Sequence, residues 1–149
     1  MKIILKNYQL ETVLAAIINA SEASGRIDGL TQLKLNKARR VIFPVYKDYS
    51  DLLPDLKEAH VKKDKNGEFK TKMEDGILTL DFKSEKDKEK FKEVSGQDNI
   101  IDLPYLLREA DLKQLQVTGQ EIEGLMLIME GEAVVHEERK KSKKKAKAG

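Results

Sequence analysis

The chain contains no cysteine and no tryptophan. The missing thiols remove disulfide frameworks, thiolate zinc sites, iron–sulfur clusters and cysteine nucleophiles together, and their absence fits a reducing compartment. Aromatic residues are 5% of the chain, so a core has to be built from Leu, Ile and Val. No apolar run approaches the roughly 20 residues that a membrane-spanning helix needs. The apolar segment within Met1–Asn7 is too short for a signal peptide. These absences together lead to the expectation of a cytoplasmic protein.

Catalytic signatures are missing as well. None of the 9 glycines stands in a GxGxxG or GxxxxGKS/T frame, the spacings that cradle phosphates, and no Ser or Thr is set in a nucleophile elbow. The two histidines, His60 and His136, lack convergent partners at metal or dyad spacing. His60 lies in a Lys-rich helix end and reads as solvated or capping. His136, among Glu132, Glu137 and Glu138, reads as surface charge. Glu121 and Glu123 flank a helix start, where the dipole favours negative charge. The expectation is a non-enzymatic protein with no cofactor and no bound metal.

Charge is what the chain has in abundance: 36% of residues are Asp, Glu, Lys or Arg, against about 25% in ordinary soluble domains. The net charge of +2 hides a split. From Arg139 onward there are seven basic residues and no acid, leaving 21 basic and 26 acidic side chains in the rest, a net of −5. Such a tail cannot bury enough apolar surface to order itself. The division expected is one α+β domain over 1–135 followed by a basic disordered tail over 136–149. Arg139, Lys140, Lys141, Lys143, Lys144 and Lys145 form a candidate nucleic-acid contact, sequence-independent and salt-sensitive. A solubilising tail, a contact to an acidic protein surface and a targeting signal remain alternatives.

Along the body, Lys2–Lys6 suits a short strand and Asn7 a helix N-cap. Leu10, Val13, Leu14, Ile17 and Ile18 recur on one helical face, and Gly25 suits a left-handed stop. Leu35, Ala38, Ile42, Val45, Tyr49, Leu52, Leu56 and Ala59 then keep a 3-4 spacing for more than three heptads. Pro44 and Pro54 fall off that seam, which predicts one kinked helix or collinear pieces. The seam either pairs with Leu10–Ile18 in the same chain or supports self-association over Leu35–Ala59. Asn99–Leu103 reads as extended, because Pro104 disfavours helix before it, and is a candidate third strand for a hairpin over Phe69–Phe82. Thr118-Gly-Gln-Glu121 is a capping box, opening a helix with Ile122, Leu125, Met126 and Met129 inward.

Asp75-Gly76 is the pair preferred in a type I′ hairpin turn, where both positions need positive φ. Setting Glu74 opposite Ile77 pairs Met73 with Leu78, Thr71 with Leu80 and Phe69 with Phe82. One face then carries Phe69, Met73, Leu78, Leu80 and Phe82, and the other Lys70, Lys72, Thr79 and Asp81. A one-residue slip would scramble this division. Either the body covers the apolar face or a partner protein does. Ser84-x-x-Asp87 resembles a capping box for a short charged helix with Phe91 and Val94 inward.

The order of a short N-terminal strand and helix, a long charged helix, the turn Lys63–Phe69, a hairpin, the segment Phe82–Phe91 and a leucine-rich terminal helix resembles small uncharacterised proteins of tailed phages of Gram-positive bacteria. The resemblance implies a setting, host cytoplasm or virion, and no activity. The expected function is that of an adaptor, assembly factor or inhibitor acting through protein–protein contact, with nucleic-acid association through the tail as the alternative.

Overall fold

In a computed structural model of the chain, residues 1–23 and 25–136 are described. The fold is mixed α+β, with two small antiparallel sheets and five helices among those residues. The Lys-rich segment from Arg139, with the candidate nucleic-acid residues, lies outside them. The chain gathers into two compact units, one of Met1–Tyr46 with the chain from Asp98 on, the other Lys47–Gln97.

In the first unit β1 (Lys2–Lys6) leads directly into α1 (Asn7–Ala23). The Lys6 N–H donates to Gln9 Oε1 at 2.8 Å, and the Asn7 Oδ1 accepts from Asn99 Nδ2 at 2.8 Å. Ile3, Ile4 and Leu5 are all buried, an arrangement a strand reaches only when both its faces are covered. Both its edges are bonded too: one to β4 (Asp98–Asp102), with Ile3 opposite Ile101, the other to the Val134–Val135 segment. The extended segment before Pro104 is thus a strand, but it adds to β1 and not to the hairpin. Gly25 does not take the left-handed conformation expected of it; among described glycines that conformation is confined to Gly67, Gly76 and Gly131.

The helix against which α1 packs most extensively is α5 (Gly119–Met126), more than ninety residues away in sequence. The approach is set by Gly124: a Cβ there would stand 2.8 Å from the Ala16 Cβ and 2.8 Å from the Thr12 carbonyl oxygen. The capping box opens α5 as expected, Glu121 N–H donating to Thr118 Oγ1 and Thr118 N–H to the Glu121 carboxylate. Leu125, Ile128 and Met129 are buried. Met126 faces outward, since α5 ends there and the chain turns.

One helix, α2 (Gly29–His60), holds Pro44 and Pro54 inside it. Its seam is buried at Leu35, Ala38, Ile42 and again at Leu56, half-exposed at Val45 and Tyr49, and exposed at Leu52 and Ala59. Its first half is therefore spent on the chain's own core and is not a free self-association surface. A short α4 (Glu109–Leu112) completes the first unit.

In the second unit, α2 is followed by β2 (Thr71–Glu74), β3 (Ile77–Leu80) and α3 (Glu85–Ser95). The hairpin register is Thr71–Leu80, Lys72–Thr79, Met73–Leu78 and Glu74–Ile77, with Asp75 at φ 53° and Gly76 at φ 79°, as the turn chemistry predicts.

Because the Thr12 carbonyl belongs to helix backbone and cannot swing aside, overpacking outweighs the better helix propensity of alanine. Gly124→Ala is expected to lower unfolding free energy by about 1–3 kcal/mol. Gly119→Ala, with open space around its Cβ position, should leave urea denaturation near wild type.

Candidate functional site

Three carboxylates are held below their ordinary range, and each is committed to the scaffold. Asp111 is buried beside α2. Burial pushes its carboxyl up, but hydrogen bonds from Lys34 Nζ at 2.7 Å, Thr31 Oγ1 at 2.7 Å and the Arg108 N–H at 2.8 Å outweigh that and bring it down. Asp28 is lowered by the Thr31 N–H and by Gln114, which returns its Oε1 to the Asp28 N–H at 2.9 Å. Asp87 is lowered by His60, whose Nδ1 is 2.8 Å away, and by Ser84.

Ser84, Asp87 and His60 are the residue types of a hydrolytic triad in a different connection. A nucleophilic serine must hydrogen-bond the histidine that takes its proton. Here Asp87 stands in the middle, one oxygen on His60 and the other accepting from Ser84 Oγ at 2.6 Å, while Ser84 Oγ also accepts the Asp87 N–H as the N-cap of α3. The Ser84–Asp87 box is thus a cap whose acid turns to His60. That partner could not be read from the chain, because it lies 27 positions away. Among the described residues every buried side-chain polar atom has a partner, and no three His, Asp or Glu side chains converge as metal ligands would.

The hairpin is the other candidate. Its base is not a simple Phe69–Phe82 pair. After α2 the chain turns through Asp64–Gly67, and Val61 bridges Phe82 while Lys63 bridges Phe69. Lys62 N–H donates to the Asp81 carbonyl, Asp81 N–H to the Lys70 carbonyl, and Lys70 N–H to the Lys62 carbonyl, at 2.8–2.9 Å. This ring of three bonds anchors the hairpin. The Phe82 and Phe91 rings pack at 5.2 Å between centroids, their planes tilted by 59°, and Glu74 meets Lys88 of α3 at 3.7 Å.

Above that base the apolar face is uncovered. Phe69, Leu80 and Phe82 are half-buried, whereas Met73 is 66% exposed and Leu78 64%. Ile77, the one large apolar residue that the register puts on the opposite face, is also 66% exposed, so the tip presents three large apolar side chains on its two faces. Met73 and Leu78 are direct cross-strand neighbours. Among the described residues no helix is long and apolar enough to cross a membrane. No family model, curated protein or solved structure matches the chain.

Lys34→Met would leave the Asp111 carboxylate buried without its counter-ion, a loss expected to cost about 3–5 kcal/mol at neutral pH. Asp111 stabilises the wild type fully above the ordinary value of 3.8, and that contribution fades as pH falls through its lowered folded value. In the variant burial acts unopposed by Lys34, so protonation relieves the penalty. The gap between the two proteins in urea denaturation should narrow toward acid.

Proposed function

We propose that this is a non-enzymatic contact protein, an adaptor, assembly factor or inhibitor, that binds a protein partner through its hairpin. One observation carries the reading: Met73 and Leu78, paired across the strands, stand about two-thirds exposed on a hairpin whose base is anchored by backbone bonds. Large apolar side chains grouped in the open are the mark of an interaction surface. The partner is expected to fill the face over Met73 and Leu78, with Phe69, Leu80 and Phe82 as its floor.

The second reading, nucleic-acid association through the tail, rests on the seven cations without an acid from Arg139 on. The two are separable. Tagged full-length chain should capture one discrete protein from extract of its native source, and the Met73→Lys/Leu78→Ser variant should lose it while its stability stays within about 0.5 kcal/mol, as for surface substitutions. Capture that survives in the variant defeats the hairpin reading. A chain ending at Glu138 should keep the partner; if the partner departs with the tail instead, the tail is the contact.

A further inference from the structure

We propose that the outward face of α2 in the first unit binds single-stranded nucleic acid, with Phe43 stacking on an unpaired base and Arg39 and Arg40 holding its phosphates. This site is separate from both the hairpin and the tail.

Between Gly29 and Tyr46 the helix carries Lys34, Lys37, Arg39 and Arg40 and no acid at all. Two of these cations are engaged. Lys34 is paired with Asp111, and Lys37 Nζ lies 5.5 Å from the centre of the Tyr105 ring. Arg39 and Arg40 are exposed, and among the described residues neither has a carboxylate within ion-pair distance. Asn36, Arg39, Arg40 and Phe43 stand at i, i+3, i+4 and i+7, which places them on one face, opposite the buried Leu35, Ala38 and Ile42. With Pro44 they line a hollow of about 500 Å³. Phe43 is 50% exposed within it.

The chemistry of that hollow selects its occupant. A guanidinium pair supplies fixed forks for phosphate oxygens, and an exposed ring supplies a stacking platform. The Asn36 Oδ1 already accepts from Gln32 Nε2 at 3.1 Å, leaving the amide NH2 as donor for a base edge. The apolar part of this face is Phe43, Pro44 and the exposed Leu33 one turn before Asn36, and the two guanidiniums set among them favour an anionic strand over an apolar partner surface. A duplex keeps its base faces stacked and offers nothing to Phe43. A bilayer would need the apolar side of α2, which is turned into the core.

The test uses the full chain and fluorescence anisotropy with uridine and thymidine homopolymers of about twelve nucleotides, within the usual span of such sites, beside a duplex of equal length. Both single strands should bind more tightly than the duplex, and whichever homopolymer is preferred identifies RNA or DNA as the source. Phe43→Leu keeps an apolar side chain and removes the ring; it should weaken binding roughly 5- to 150-fold, the value of one stacked base, and Phe43→Tyr should restore most of it. Arg39→Gln/Arg40→Gln should reduce the dependence of log K on log salt by about 1.4, two phosphates' worth for a single strand. Circular dichroism of each variant should match wild type, because all three positions are exposed. The proposal is overturned if no strand binds, if Phe43→Leu binds like wild type, or if the salt dependence is unchanged in the arginine variant. The last two would assign the affinity to the Lys-rich tail, which has no ring. A polyglutamate peptide bound with the same Phe43 dependence would also overturn it, in favour of an acidic protein.

Discussion

The Asp111 carboxylate is the constraint around which the first unit is arranged. Buried in that unit, it accepts from Lys34, Thr31 and the Arg108 N–H, so none of its lone-pair directions can be given up cheaply. A buried ion pair adds little net stability compared with apolar packing of the same volume, but it penalises every arrangement that breaks it. Thr31 and Lys34 are three residues apart on α2, so only one rotation of that helix brings both onto the same carboxylate. The neighbouring Asp28–Gln114 exchange fixes the entry to the helix. That rotation turns Leu35, Ala38 and Ile42 inward and leaves Asn36, Arg40 and Phe43 outward. The polar node therefore decides which surface the helix shows.

The second unit is built on different terms. Of its apolar side chains only Leu56 and Val61 are buried, and α3 buries none. What holds it is polar and close to the surface: the ring of backbone bonds at Lys62, Lys70 and Asp81, the His60–Asp87 pair and the Glu74–Lys88 contact, together with the tilted Phe82–Phe91 ring pair. A unit with so few buried apolar contacts belongs to the low end of local stability. It nevertheless places Met73, Ile77 and Leu78 outward, where they do nothing for its own core. This arrangement supports the contact reading, since burying those side chains against a partner would recover apolar area that the unit itself leaves in water.

Signals in the sequence are legible where the physics is local. The Asp75-Gly76 turn, the hairpin register and the Thr118–Glu121 box depend on neighbours a few residues apart, and each forms as the spacing implies. The 3-4 seam was legible as a helix, but where it is buried was not: after Ile42 only Leu56 of the seam is buried, and the chain brings nothing apolar to cover Leu52 and Ala59. Long-range partners were not legible. Nothing in Asn99–Leu103 distinguishes β1 from the hairpin as its neighbour, and the α1–α5 contact depends on Gly124, a glycine that resembles any other until Thr12 and Ala16 are seen beside it. Asp111 and Lys34 are 77 positions apart. In a chain so rich in charge, no local pattern marks the one pair that becomes buried.

An exposed apolar hairpin is a hazard as well as an opportunity, because open strand edges recruit copies of themselves. The chain limits that hazard through what surrounds the tip. Lys70 and Lys72 stand on the opposite face, both strands are only four residues long, and the base is closed by the Val61–Lys63 segment. Short strands and interleaved lysines oppose edge-to-edge growth, yet they leave the face over Met73 and Leu78 untouched. Charge therefore guards the edges while apolar side chains occupy the face. The two kinds of contact also respond differently to conditions: apolar burial on the hairpin is nearly indifferent to moderate salt, whereas any contact made through exposed cations weakens as salt screens it. Salt dependence is thus the property by which a contact through this face would be told from one through the chain's cations.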